Sequence, residues 1–197
     1  MGDAPILFVT GLGRCGTSMV MQMLHAAGVP CAGTPPAFED VPVSPRGVDH
    51  DWLAGQCGRA VKWIDPTVTR LRPPPGQHGA IFLSRDPMQQ ALSQLKLLAA
   101  RHDRNTRRAM KKQVEADSVR ACVIVQRLFG VHYVQSLYFE RIIDRPKDAA
   151  RKMALLCDTL GLPFGSEDAA AAVVIRRSPL CAPDLAIEHA AIRRAGT

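Results

Sequence analysis

A glycine-rich turn between an apolar run and an amphipathic segment constrains the fold of this chain most. Residues Ile6–Thr10 are apolar or β-branched and predict a buried strand, whereas 17–27 carry apolar side chains at helical spacing. Residues 11–18 join the two segments and read GLGRCGTS. Glycines let a backbone approach an anion closely, and the N–H groups of the first helical turn then hold it. The segment therefore predicts a strand–loop–helix unit that binds a phosphate-like group.

Strands and helices alternate along the rest of the chain. Further strands are predicted at Ala60–Ile64, Ala80–Ser84 and His132–Leu137. Helices are predicted at Val48–Cys57, after the N-cap Asp86, over 104–128, over Pro146–Leu160, and in an Ala-rich tail from Ser166 that Pro179 and Pro183 break. Residues 29–46, with five prolines, predict a loop. This order predicts an α/β fold, a three-layer sandwich with a mainly parallel central sheet of the P-loop nucleotide-binding type, in one domain over 1–197.

Composition excludes several classes of protein. Hydrophobic residues make up 47% of the chain and charged residues 22%, so it is neither disordered nor fibrous. Its apolar runs are too short to span a bilayer, and its first residues lack a signal-peptide core. The six cysteines form no C-x-x-C pair, which is typical of reduced thiols. We therefore expect a cytoplasmic protein without a membrane partner.

The net charge of +7 comes mainly from one segment, 101–112, which reads RHDRNTRRAMKK and contains six Lys or Arg residues and one Asp. We interpret this segment as a solvated face between two helices. Recruitment of an anionic acceptor is the alternative interpretation. The segment disfavours nucleic acid as a partner because no aromatic side chains interleave with the basic ones.

The glycine-rich loop departs from three familiar patterns. A Walker A loop has lysine where Thr17 stands, and here the cation is Arg14. The glycines also fit G-x-G-x-x-G, but a dinucleotide site requires an acidic residue at the end of a second strand about twenty residues later, and Glu39 and Asp40 lie in the proline-rich loop instead. Cys15 at a helix start suggests a phosphatase, whose loop would need an arginine where Met21 stands. These departures disfavour an ordinary ATPase, a dehydrogenase and a cysteine phosphatase.

A second anion site is predicted after the third strand. Arg85 follows that strand, and Ser93 lies eight residues later, two turns into the helix that Asp86 caps. A guanidinium at the end of the strand and a hydroxyl on the helix could bind one anion together.

Taken together, these motifs resemble the sulfotransferases that use 3′-phosphoadenylyl sulfate (PAPS). The segment RCGTS at 14–18 is similar to their basic-Ser-Gly-Thr-Thr loop for the 5′-phosphosulfate. Arg85 and Ser93 resemble their site for the 3′-phosphate. The segment FERI at 139–142, followed by Pro146 and by LGL at 160–162, resembles their Y-E-D motif and the helix after it. The resemblance spans residues 6 to 162.

The resemblance implies transfer of a sulfuryl group from PAPS to a hydroxyl or amine acceptor, with PAP as product and no metal requirement. It implies that the cofactor is bound by Gly13, Arg14, Cys15, Gly16, Thr17, Ser18, Arg85 and Ser93. Arg14 and Lys62 would assist the leaving group, and Glu39 would be the general base, with Asp40, Asp65, His50 and Asp51 as rivals.

Two positions depart from the family pattern. Met19 replaces a tryptophan that stacks on adenine, and Phe139 replaces the tyrosine of Y-E-D. The pair Arg176–Arg177 is only a loose substitute for the late basic-Gly loop of the family. Two alternatives remain, namely a P-loop kinase or nucleotide hydrolase with a degenerate loop, and a PAP-binding module without catalysis.

Overall fold

A four-stranded parallel sheet forms the centre of the computed structural model, which describes residues 4–44, 47–99 and 103–174. Its strands are β1 (Leu7–Gly11), β4 (Ala60–Ile64), β5 (Gly79–Ser84) and β6 (Val134–Tyr138), in the spatial order β4-β1-β5-β6. Two short strands, β2 (Val43–Ser44) and β3 (Gly47–Val48), pair antiparallel outside this sheet.

Seven α-helices lie in the described ranges, together with a 3-10 turn at Val131–Tyr133. They are α1 (Thr17–Ala26), α2 (His50–Ala54), α3 (Pro87–Leu97), α4 (Arg104–Phe129), α5 (Phe139–Asp144), α6 (Pro146–Leu160) and α7 (Glu167–Ala172). Within these ranges, none of the helices has the length and apolar character needed to cross a membrane.

The sheet is covered on both faces because its strands alternate between two apolar clusters. Leu7 and Val9 of β1 pack with residues of α1, α6 and α7. Phe8, between them, packs on the opposite face with residues of α3 and α4. There its ring stacks on Phe129 at 5.1 Å and meets Trp63 edge-on at 6.4 Å. The expected three-layer α/β sandwich with a parallel sheet is confirmed.

The structure differs from the sequence prediction at several element ends. The predicted helix Val48–Cys57 is only His50–Ala54, because Asp49 caps it by accepting from the Trp52 N–H at 2.8 Å. The segment predicted as a loop contains β2, which pairs with β3. The 3-10 turn takes the first two residues of the predicted strand His132–Leu137, so β6 begins at Val134.

Helix α5 was missed altogether. It follows β6 without a loop, so no turn signal in the sequence marks its start. The tail beyond residue 174, including the predicted breaks at Pro179 and Pro183 and the pair Arg176–Arg177, lies outside the described residues.

Candidate active site

The predicted site residues gather at the carboxyl ends of the parallel strands. In the sheet, β4 is the next strand of the chain after β1 and lies on one side of the β1–β5 pair. Strand β6 is the next after β5 and lies on the opposite side of that pair. A crevice opens where two neighbouring strands connect in opposite directions, and α/β proteins bind ligands at such a point. The glycine-rich loop follows β1 and Arg85 follows β5, so both border this crevice.

The loop is shaped by two positions where only glycine fits. A Cβ on Gly11 would lie 2.5 Å from the Leu83 carbonyl oxygen, and one on Gly16 would lie 2.5 Å from the Phe139 ring. Gly16 also has a φ of 101°, which L-residues rarely adopt. The loop is thus packed against the ends of β5 and β6, while a Cβ on Gly13 would meet no atom within 4 Å.

Helix α3 supports the loop with three side chains. Gln90 Nε2 and Gln94 Nε2 donate to the Gly13 carbonyl oxygen at 2.8 and 3.0 Å. Between them, Ser93 Oγ accepts a hydrogen bond from Arg14 Nε at 3.0 Å. The sequence predicted that Ser93 and Arg85 share one anion, and in the structure the hydrogen-bond partner of Ser93 is Arg14.

Arg85 reaches the same loop from the end of β5. Its Nη1 donates to the Arg14 carbonyl oxygen at 3.2 Å, and its guanidinium lies 4.6 Å from the centre of the Phe139 ring. Glu140 Oε1 lies 3.9 Å from Arg85 Nε and accepts from the Asp86 N–H at 3.1 Å. Among the described residues, Arg85 Nε and Glu140 Oε2 are buried without a hydrogen-bond partner.

The electrostatics of Arg85 favour an anion in this crevice. Desolvation lowers the pKa of Arg85, the Glu140 carboxylate raises it, and the nearby charge of Arg14 lowers it again. Two guanidinium groups that repel each other are therefore held near one loop. An anion placed between them would stabilise both cations.

A third cation, Lys62, links the loop to the proline-rich segment. The alternation of β4 turns this side chain toward α1, and only 2% of it is exposed. Its Nζ donates to Ser18 Oγ and to the Ala37 carbonyl oxygen, each at 2.9 Å, and to Glu39 Oε1 at 2.5 Å. An ammonium has three donors, and these contacts can use all of them. Burial of Lys62 is therefore compensated by Ser18 and Glu39, two predicted site residues.

The rivals of Glu39 have other partners or lie on the surface. Asp40 Oδ2 accepts from both the N–H and the hydroxyl of Thr34 at 2.7 Å, and Asp65 Oδ1 accepts from Thr67 Oγ1 at 2.6 Å. These bonds stabilise local turns. In helix α2, His50 Nδ1 lies 3.7 Å from Asp51 Oδ1, and both side chains are more than half exposed.

Cys15 and Thr17 face into the protein. Burial raises the pKa of the Cys15 thiol to about 12, so it stays protonated at neutral pH. A cysteine phosphatase needs the thiolate as nucleophile, and this thiol does not supply it. Thr17, at the position of the Walker lysine, is 6% exposed.

Four residues at the site were missed as functional candidates by sequence reasoning. Gln90 and Gln94 are spaced i, i+4 on a helix that already carried Ser93, which is a signal for a shared face. The other two, Phe139 and Glu140, belong to a segment whose only sequence signal is its resemblance to a family motif. Their contacts with Gly16 and Arg85 depend on β6 lying next to β5, which local sequence does not reveal.

Comparison with solved structures identifies the fold. The chain has the fold of sulfotransferases. It superposes on the sulfotransferase domain of the Synechococcus PCC 7002 olefin synthase with a TM-score of 0.54 and 16% identity, covering 93% of this chain and 81% of that one. For the sulfotransferase from Alicyclobacillus acidocaldarius the TM-score is 0.53 with 17% identity, covering 95% and 90%. For the sulfotransferase domain from the curacin biosynthetic pathway it is 0.52 with 14% identity, covering 85% and 77%.

No family model matches the sequence, and no curated protein matches it either. The similarity is therefore one of fold.

The contact between Gly16 and Phe139 predicts an unusually costly glycine substitution. Gly16→Ala adds strain from the positive φ, and its Cβ also collides with the ring. Gly28→Ala is the matched control, because Gly28 has a φ of +87° but open space around it. Overpacking costs about 1–3 kcal/mol, so Gly16→Ala should lower the free energy of unfolding by about that much more than the control. Urea unfolding measures both, and equal losses would contradict the contact.

Burial of Cys15 predicts protection from alkylation. Iodoacetamide at pH 8 should label the partly exposed Cys57 in the native protein and leave Cys15 unmodified until denaturant is added. Peptide mass spectrometry distinguishes the two sites. Native-state labelling of Cys15 at the rate of Cys57 would show that the thiol is accessible and reactive.

Proposed function

We propose that this protein is a sulfotransferase that moves a sulfuryl group from PAPS to a hydroxyl or amine acceptor. The observation that carries the proposal is the convergence of Arg14 and Arg85 on one glycine-rich loop, where Arg85 donates to the Arg14 carbonyl oxygen at 3.2 Å. Two separate cations suit a donor that carries anionic groups at both its 5′ and 3′ positions. The fold shared with sulfotransferases supports the same conclusion.

The residues present fit such a donor. Arg14 and the backbone N–H groups at the start of α1 would hold the 5′-phosphosulfate, with Gly13 open toward it. Arg85 and Ser93 would hold the 3′-phosphate. The buried Nε of Arg85 has no hydrogen-bond partner among the described residues, and the Ser93 hydroxyl, which accepts from Arg14, keeps its own proton to donate.

The chain's own residues can perform the steps of transfer. When bound, PAPS supplies the sulfuryl group and leaves as PAP. Arg14 and the loop N–H groups would stabilise the negative charge that develops on the leaving phosphate oxygen. Lys62 donates to Ser18 of the glycine-rich loop and to Glu39 of the proline-rich segment, and Glu39 would face the acceptor. Glu39 would take the proton from the acceptor hydroxyl or amine.

Acceptor and location belong to the proposal as well. A hydroxyl- or amine-bearing acceptor with an anionic group would suit a chain of net charge +7. The five cysteines of the described ranges are unpaired, which supports a reducing, cytoplasmic location.

A thermal-shift panel tests the donor. PAP, AMP and ATP·Mg²⁺ are added at equal excess, and a ligand at about 100 times its Kd adds about 2.7 kcal/mol to the free energy of unfolding. We expect PAP to raise Tm most. Stabilisation by ATP·Mg²⁺ but not by PAP would contradict the proposal and favour a kinase or nucleotide hydrolase.

Removal of Arg85 should weaken PAP binding selectively. Arg85→Ala deletes charge-assisted hydrogen bonds worth about 1.5–3 kcal/mol, which corresponds to about a 10- to 150-fold rise in the Kd for PAP. The control is Arg127→Ala, which removes the same charge from an exposed position on α4. Isothermal titration measures both variants. Unchanged PAP affinity in Arg85→Ala would remove this residue from the 3′-phosphate site.

Substitution of the base should separate catalysis from binding. Glu39→Gln keeps an acceptor for Lys62 but cannot take a proton, so turnover should fall about 10²- to 10⁴-fold while the Kd for PAP stays within about twofold. Asp40→Asn, one residue along the same loop, is the control and should retain activity. Wild-type turnover in Glu39→Gln would place the base elsewhere, and PAP binding without turnover in the wild type would favour a non-catalytic module.

A further inference from the structure

The segment that carries Glu39 is a closed turn, which we call the Glu39 turn and define as residues 34–40. The Phe38 N–H donates to the Thr34 carbonyl oxygen at 2.9 Å and closes an α-turn. The Asp40 carboxylate accepts from the N–H and from the hydroxyl of Thr34, both at 2.7 Å. Thr34 and Asp40 lie on the surface, whereas Phe38 is only 1% exposed. Phe38 is therefore the side chain by which the turn enters the core.

The backbone of Phe38 has a conformation that bulky L-residues rarely adopt. Its φ is 55°, in the left-handed region, where a phenylalanine is an outlier. Such a conformation persists only where the surroundings of the residue fix it. The Phe38 ring packs in the apolar cluster that contains residues of α1, and its centre lies 5.7 Å from the centre of the His25 ring. On the backbone side, a Cβ on Gly33 would lie 3.0 Å from Phe38 Cα, so these two residues pack directly against each other.

Lys62 binds the Glu39 turn on both sides of Phe38. Its Nζ donates to the carbonyl oxygen of Ala37, the residue before Phe38, at 2.9 Å. The same Nζ donates to Oε1 of Glu39, the residue after Phe38, at 2.5 Å. A change of φ at Phe38 would rotate Glu39 relative to Ala37, because φ is one of only two soft dihedral angles per residue. The approach of both groups to one ammonium therefore depends on the conformation of Phe38.

We propose that Phe38 is a positioning residue for the proposed base: its buried ring and left-handed backbone hold the Glu39 carboxylate against Lys62. The catalytic part of this inference rests on the proposed function, because it takes Glu39 as the base. Lys62 also donates to Ser18 of the glycine-rich loop at 2.9 Å, so the position of Glu39 relative to that loop depends on the same ammonium. A displacement of about 1 Å at a catalytic group can reduce turnover about 100-fold.

The Lys62 ammonium provides a readout that needs no acceptor. The full chain is labelled with ¹³C,¹⁵N-lysine, and the ¹⁵Nζ shift of Lys62 is measured through its carbon-bound protons, which do not exchange with water. The signal is assigned by its loss in Lys62→Arg, and Glu39→Ala gives its position without the carboxylate partner. We expect Phe38→Ala to move the signal toward the position found in Glu39→Ala. Phe38→Leu, which keeps a larger apolar side chain in the core, should move it less.

A matched pair of glycine variants tests the backbone of Phe38 without changing its ring. Gly33 and Gly28 both have a φ of +87°, but a Cβ on Gly28 would meet no atom within 4 Å. Gly33→Ala should therefore move the Lys62 signal in the same direction as Phe38→Ala, whereas Gly28→Ala should leave it unchanged. Phe129→Leu, which replaces a buried ring on the opposite face of the sheet, should also leave it unchanged.

Turnover tests the catalytic part of the inference. In the assay used for Glu39→Gln, Gly33→Ala should lower kcat about 10- to 100-fold and leave the Kd for PAP within about twofold, whereas Gly28→Ala should change neither. Three results would overturn the proposal, namely an unmoved Lys62 signal in Phe38→Ala, equal Lys62 shifts in the two glycine variants, and equal kcat values in them. Absence of transfer by the wild type would contradict the proposed function instead, and the Lys62 signal would still decide whether Phe38 positions Glu39.

Discussion

The close approach of the glycine-rich backbone to the ends of β5 and β6 determines the geometry of the whole site. At Gly11 the loop passes beside the Leu83 carbonyl, and at Gly16 it rests on the Phe139 ring. Any side chain at either position would push the loop away from the sheet. The centre of the same ring lies 4.6 Å from the Arg85 guanidinium. A displaced loop would therefore also lose its hydrogen bond from Arg85. The two proposed anion-binding parts of the crevice are therefore coupled through one aromatic side chain.

Helix α3 gives this loop its second support, and the type of support matters. Gln90 and Gln94 are neutral donors and bind the Gly13 carbonyl oxygen. They fix the backbone without placing a further negative charge beside Arg14 and Arg85. An acidic side chain in the same place would have paired with the guanidinium groups and reduced the positive potential of the crevice.

Much of the fold was accessible from local sequence signals. The buried strand at β1, the glycine turn and the apolar spacing of α1 are all local patterns, and so is the Asp86–Pro87 start of α3, where Asp86 accepts from the Gln89 N–H at 2.8 Å. These elements were placed correctly. The β2–β3 pair and α5 were not, because one is a contact of two-residue strands and the other follows β6 without a turn.

The candidate site was predictable in its parts and not in its connections. Arg14, Arg85 and Ser93 could be proposed from residue type and spacing. That Ser93 accepts from Arg14, and that Glu140 lies against Arg85, are consequences of strand order across the sheet. Contacts between segments that are distant in sequence produce no local pattern from which a single sequence could predict them.

Several places where this chain departs from ordinary folding rules lie around the crevice. Arg14 has a φ of 70°, which costs about 1–2 kcal/mol for an L-residue. Lys62 carries a charge into a buried strand, and Arg85 Nε is buried with no hydrogen-bond partner in the described part of the chain. The positive φ and the unpartnered N–H lower stability, and the buried ammonium would do so without its bonds to Ser18 and Glu39. Since such local conflicts are expected where a protein binds or reacts, their position around one loop is an argument for function that is independent of the shared fold.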